Sequence, residues 1–244
     1  NVSLTYSGSG APSVEGINFK AMKGQTIGVI GGTGSGKSSL VNLIPRLYDA
    51  TQGEVLVDGV NVKDYDIETL RNKVGIVMQK AVLFKGTIRE NMWMGKKGAT
   101  DEQIDEALEI SQSKEFVDSK QGRLDYVIEQ GGKNLSGGQR QRLTIARAIV
   151  RKPDVLILDD SASALDFATD AALRKAIRGM NNSPTVFIVS QRAASLMYAD
   201  LIIVLDDGQV AGMGTHDELL ANCEVYKEIY ESQFKKADSE GGVA

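Results

Sequence analysis

The chain has 244 residues, of which 28 are Lys or Arg and 32 are Asp or Glu, giving a formal net charge of -4. That length suits one large domain, and 42% hydrophobic with 25% charged residues excludes a disordered or low-complexity chain. The acidic balance argues against non-specific nucleic-acid binding, which needs a positive surface, and the single cysteine, Cys223, excludes an internal disulfide and favours a reducing compartment.

Residues 2–6 alternate and read as a strand, with no signal-like segment before it. A chain that starts at Asn1 inside a strand looks excised from something longer. Unbroken Val- and Ile-rich runs at 25–30, 74–78, 155–158, 185–189 and 201–205 predict strands buried on both faces, as in a parallel sheet. None approaches the ~18 apolar residues of a membrane span. Residues 53–62 alternate around Asp58 and Gly59, the signature of a hairpin in an antiparallel section. Strand signals vanish between Thr87 and Gly122, while residues 101–110 have helical spacing. The expectation is an α/β fold in which residues 87–151 form a helical subdomain inserted into a core of residues 1–86 and 152–244.

Gly31, Gly32, Thr33, Gly34, Ser35, Gly36, Lys37 and Ser38 spell G-x-x-x-x-G-K-S between a predicted strand and a helix-like run. Glycines let backbone N–H groups face phosphate oxygens. Lys37 then bridges the β- and γ-phosphates of a nucleotide, and Ser38 offers its hydroxyl to Mg²⁺. The run 155–159 ends a buried strand in Asp159, an oxygen ligand suited to the same hard cation.

Leu135, Ser136, Gly137, Gly138 and Gln139 follow the phosphate loop and precede the Asp159 strand. With them the chain resembles, over nearly its whole length, the ATPase domain of an ATP-binding cassette (ABC) transporter of exporter type. The resemblance implies a P-loop NTPase core with a mostly parallel sheet, an antiparallel section near the N-terminus and the signature motif on the helical subdomain. It implies Tyr6 as the adenine-stacking aromatic, Ser39 beside Ser38 at the nucleotide, Gln79 as the Q-loop residue near Mg²⁺ and the attacking water, and Ser163, Ala164, Leu165 and Asp166 as the D-loop. ATP and Mg²⁺ are the implied ligands. The implied partners are a second ATPase domain, docked head to tail so that Ser136–Gly138 cap its nucleotide, and the coupling helices of a transmembrane domain, facing residues 83–91 and absent from this chain. Taken alone, Ser-Gly-Gly is more often an ordinary helix start, Tyr6 equally a core aromatic, and Gln79 a loop hydrogen bonder. No nucleic-acid partner is implied.

Three positions depart from the family pattern. Asp160 stands where a Glu polarises the attacking water, and Gln191 stands at the switch histidine. Residues 128–131 read Ile-Glu-Gln-Gly in place of Gly-Glu-Arg-Gly. Asp is one methylene shorter than Glu, and Gln cannot become cationic. Both changes fall on the half-site this chain uses for its own ATP, while the half it lends is intact. That asymmetry resembles the degenerate-site subunit of a heterodimeric exporter. The alternatives are a symmetric homodimer with a weak Asp base and an ATP-gated binding module without hydrolysis. A soluble ABC protein acting on DNA or ribosomes fits the acidic balance poorly.

Elsewhere, Arg140, Arg147 and Arg151 share one helix face and read as solvated charges; residues 92–94 read as buried packing. His216 sits between Thr215 and Glu218 in a predicted capping box, a structural role.

Overall fold

The computed structural model describes residues 1–161 and 164–240, with 234–240 by backbone alone. Two compact units emerge, Asn1–Arg71 with Thr185–Ala244, and Asn72–Pro184.

In the first unit the strand Thr26–Gly31 is buried throughout and is flanked on both sides by parallel neighbours, Thr185–Val189 and Leu201–Asp206. Two buried faces and two hydrogen-bonded edges disfavour polar side chains, and after the buried Thr26 at its start the strand carries only Ile27, Val29, Ile30 and glycines. Gly28 is enforced by packing, since a Cβ there would lie 3.2 Å from the Leu196 side chain. Gln209–Gly214 adds an antiparallel edge to Leu201–Asp206. The expected antiparallel section is present as Val2–Leu4 with Val14–Ile17, and as Leu56–Val57 with Val60–Asn61. The latter hairpin turns on Asp58 at φ 51° and Gly59 at φ 78°, two left-handed residues as a type I′ turn requires.

The predicted capping box holds. Thr215 accepts from the Glu218 N–H, Glu218 accepts from the Thr215 N–H, and helix His216–Asn222 follows. His216 Nδ1 lies 2.8 Å from the Tyr226 hydroxyl, so the chain's only histidine pins the helix Glu224–Glu240.

In the second unit Val74–Val77 and Val155–Asp159 run parallel. Helices Ile88–Trp93, Asp101–Ile110, Lys114–Asp118 and Gly137–Ile149 lie between them in the chain, and Phe167–Arg178 follows. Helix Gly137–Ile149 comes close to the chain after Ile88–Trp93, where a Cβ on Gly95 would stand 2.0 Å from the Arg147 carbonyl oxygen. A two-residue ladder, Gly86–Thr87 with Val127–Ile128, was not expected, because strands this short carry no periodicity.

Two expectations are corrected here. The arginines of helix Gly137–Ile149 do not form a solvated face. Arg140 donates to the carbonyls of Leu135 (2.7 Å) and Gly132 (3.3 Å), and Arg147 donates to the Val82 carbonyl at 2.8 Å beneath Phe84. Burial pulls the Arg147 and Arg151 guanidinium pKa values below the ordinary arginine range. Backbone carbonyls of loops folding over the helix take the place of water. In the stretch 92–94, packing describes Met92 only: Trp93 is 40% and Met94 52% exposed.

Candidate nucleotide site

The phosphate loop lies in the first unit. Strand Thr26–Gly31 ends where a side chain is impossible, since a Cβ on Gly31 would fall 2.1 Å from the Leu205 carbonyl oxygen. The loop then uses Gly34 at φ 84° and Gly36 at φ 93° to turn into helix Lys37–Asn42. Lys37 Nζ donates to the carbonyls of Gly31 (2.9 Å) and Gly32 (2.6 Å) and reaches Ser35 Oγ at 3.4 Å. The ammonium is therefore parked on the rim of its own loop, while Gly32, Thr33, Gly34 and the Ser38 side chain stay exposed. An anion in this loop meets one cation and a backbone that lacks Cβ groups at Gly32, Gly34 and Gly36. Tyr6 donates its hydroxyl to Ser39 Oγ at 3.0 Å and presents its ring edge-on to Tyr48 at 4.8 Å. Tyr6 is half-buried, tied to the helix that follows the phosphate loop.

The glycines are graded in what they tolerate. A Cβ on Gly36 would lie 2.4 Å from the Ser13 carbonyl oxygen, whereas nothing comes within 4 Å of one on Gly34. Gly36→Ala is expected to cost about 2–4 kcal/mol of stability, from left-handed strain plus overpacking. Gly34→Ala bears the strain alone and is expected to cost about 1–2 kcal/mol. Urea unfolding of the two variants measures both, and equal losses would refute the packing argument.

The remaining groups lie in the second unit. Asp159 is the buried end of strand Val155–Asp159, 5% exposed. Asp160 follows in a left-handed conformation, φ 46°, which Asp adopts more readily than longer side chains. Gln79 Nε2 donates to Asp160 Oδ2 at 3.2 Å, bringing together two candidate residues 81 positions apart. Ser136 caps helix Gly137–Ile149: its side chain accepts from the Gln139 N–H, and the Gln139 side chain accepts from the Ser136 N–H at 3.1 Å. Gln139 thus has a structural job, legible in the Ser-x-x-Gln spacing yet not recognised there. Leu135 is buried, and Gly137 and Gly138 have room at their Cβ positions: Arg140 Nη2 is 4.0 Å away from the first, the Ala164 carbonyl oxygen 3.4 Å from the second. Of the expected D-loop, Ser163 lies outside the described residues. Ala164 is exposed and Leu165 half-buried. Asp166 caps helix Phe167–Arg178, accepting from the Thr169 N–H and hydroxyl, which hold its carboxyl below the usual range.

Gln191, in the first unit, is exposed just beyond strand Thr185–Val189. Its carbonyl accepts from Gln233 Nε2 at 2.7 Å, a partner nothing in the sequence pattern announced.

A family model described as ABC transporter matches residues 14–163. The chain belongs to the ABC transporter family. It is 43% identical over 243 residues to an uncharacterised ABC transporter ATP-binding protein of Mycobacterium tuberculosis, covering 98% of this chain and 41% of that protein. It is 39% identical over 233 residues to a Staphylococcus aureus protein provisionally named a multidrug export ATP-binding/permease protein, covering 96% and 40%. A solved bacterial Atm1-family ABC exporter with ATP bound superposes with a TM-score of 0.89 at 31% identity, covering 95% of this chain and 41% of that one. The chain therefore spans about two fifths of the length of the relatives it matches. The α/β fold is that of an ABC ATPase domain.

ABC ATPase domains generally bind Mg²⁺ together with ATP. Among the described residues no cluster of three or more His, Cys, Asp or Glu side chains forms a metal cage. Taken one by one, the exposed Ser38 of the first unit and the buried Asp159 of the second are oxygen groups of the kind Mg²⁺ takes beside phosphates and water.

Proposed function

We propose that this chain is the nucleotide-binding domain of an ABC exporter, binding Mg-ATP and pairing head to tail with a second ATPase domain to power export across a membrane. It works on the cytoplasmic face, with residues 83–91 meeting the coupling helices of a transmembrane domain. In this reading residues 87–151 are the helical subdomain and the flanking segments the ATPase core. Tyr6 stacks on adenine, residues 32–39 hold the phosphates, and Lys37 compensates the β- and γ-phosphate charge. Ser38, Gln79 and Asp159 hold Mg²⁺, which supplies charge stabilisation at the transferring phosphoryl group. Ser136, Gly137 and Gly138, with Leu135 and Gln139 framing them, cap the partner's nucleotide, and residues 163–166 lie against the partner's site.

The finer reading is that this chain's own site turns over slowly and that the partner is a different subunit. The contrast between half-sites carries it: Ser136 opens a fully capped helix with open glycines, whereas the group offered to the attacking water is the short, left-handed Asp160. A displacement of ~1 Å in such a group costs about a hundredfold in rate. The Gln79–Asp160 contact favours the second reading, a symmetric homodimer with Asp160 as a weak base, because it shows the short carboxylate reaching a candidate catalytic neighbour.

Asp160→Glu with Gln191→His tests the impairment itself, in an assembled transporter whose partner site has been inactivated. The double variant is expected to raise ATP turnover at this chain's own site by about tenfold or more. Glu in the left-handed position should cost about 1 kcal/mol of stability, a side effect seen in thermal unfolding. Unchanged phosphate release from a demonstrated ATP-bound dimer would refute the impaired-site reading.

A further inference from the structure

The strongest feature outside these motifs is the side chain of Gln233. Its Nε2 donates to the Gln191 carbonyl at 2.7 Å, and its Oε1 accepts from the Ala193 N–H at 2.9 Å. One planar amide therefore spends both of its polar ends on the backbone of a single turn, two residues apart. The turn has a local bond of its own, from the Arg192 N–H to Ser190 Oγ at 3.0 Å, and the Ser195 N–H closes onto the Arg192 carbonyl at 3.1 Å. Neither of these touches the Gln191 carbonyl.

Gln233 is itself held in place. Tyr226, Tyr230 and Gln233 are spaced i, i+4, i+7 on helix Glu224–Glu240, so they share one face. Tyr226 is fully buried, its phenol pKa pushed up to about 12 by burial, with Tyr230 adding to the rise, and its hydroxyl meets His216 Nδ1 at 2.8 Å. Tyr230 lies 5.3 Å from the His216 ring. Seven residues further along, about 10 Å at helical rise, this anchored face delivers the Gln233 amide to the turn.

We infer that Gln233 is a positioning residue that sets the direction of the Gln191 side chain toward the γ-phosphate. The inference rests on reading Gln191, at the switch-histidine position, as a hydrogen-bond donor to the γ-phosphate of this chain's own ATP. An uncharged glutamine can offer a phosphate oxygen only the neutral N–H groups of its amide, and it lies in an exposed turn that has to be held from outside. The clamp fixes the Gln191 carbonyl and the Ala193 N–H, which restrains ψ of residue 191 and the approach of its Cβ. Its effect reaches the γ-phosphate only. Adenine and the α- and β-phosphates are served by other residues, so loss of the clamp loosens ATP and leaves ADP alone.

The experiment measures dissociation of radiolabelled ATP and ADP from this chain's site in the assembled transporter. Gln233→Met keeps the volume and the helix but loses both bonds; Gln233→Glu keeps the acceptor and turns an anion toward the Gln191 carbonyl. Both are expected to release ATP about tenfold faster, with ADP release within about twofold of the parent. Gln191→Ala should show the same loss, and adding Gln233→Met to it should change nothing further. If Gln191→Ala keeps parental ATP retention, the role of Gln191 falls and the clamp with it. If Gln191→Ala loses ATP while both Gln233 variants retain it, the clamp alone is refuted. Equal loss of ATP and ADP, with lowered thermal stability, would reduce Gln233 to a docking contact for the C-terminal helix and overturn the inference.

Discussion

Gly137→Asp is expected to remove most ATP turnover of the assembled transporter, on the order of a hundredfold or more, while leaving the stability of this domain unchanged or slightly raised. The two halves of that expectation come from different parts of the molecule. Gly137 is the first residue of helix Gly137–Ile149, its Cβ position is open, and the first turn holds no acidic residue. An aspartate there adds a negative charge at the positive end of the helix, with the Arg140 guanidinium 4.0 Å from the new Cβ. Such placement typically gains a few tenths of a kcal/mol. Among the described residues nothing requires glycine at 137, so the expected loss of turnover arises outside the chain. In the proposed head-to-tail dimer the new carboxylate faces the partner's γ-phosphate, and the two like charges oppose nucleotide-driven closure. Asp160→Asn should cost far less under the impaired-site reading. Phosphate release and thermal unfolding, measured side by side, check both variants. Should Asp160→Asn prove as damaging as Gly137→Asp, this chain's own site carries the hydrolysis.

How far the sequence anticipates this site depends on the range of the interactions involved. The core strands are legible because burial on two faces forbids polar residues, and the observed bounds differ from the expected ones by a residue or so at each end. The Asp58–Gly59 turn and the Thr215–Glu218 cap are legible because their chemistry is complete within four residues. The same local logic holds at Ser136 and Gln139, whose reciprocal cap is complete within four residues. What escapes is what depends on a distant segment. Arg140 and Arg147 look solvated until the chain at 82–84 and 132–135 folds over them and presents carbonyls. The Gln79–Asp160 contact spans 81 residues and the Gln233–Gln191 contact spans 42. No periodicity encodes such pairings. The left-handed backbone of Asp160 is also invisible to pattern reading, although it gives a physical reason for Asp to be comfortable where the family pattern has Glu.

Lys37→Ala should weaken Mg-ATP binding by about a hundredfold to a thousandfold, the second large effect. Its ammonium already sits within the loop, held by the carbonyls of Gly31 and Gly32, so ATP does not have to recruit a distant side chain. The energetic demand is a short swing from carbonyl oxygens to phosphate oxygens, which compete more strongly because they carry charge. Each charge-assisted bond contributes about 1.5–3 kcal/mol, and two of them, less the bonds surrendered to the loop, leave about 3–4 kcal/mol. That corresponds to the stated loss in affinity. ADP should suffer less, because it lacks one of the two phosphates the ammonium bridges. Stability should fall only by about 1 kcal/mol, since the freed Gly32 carbonyl lies in an exposed residue where water can replace the lysine. Calorimetric titration of ATP and ADP into parent and variant distinguishes a phosphate-binding role from a merely structural one. A purely structural lysine would lower both affinities alike through loss of the fold. Equal ATP affinity for parent and variant would remove Lys37 from the nucleotide site altogether.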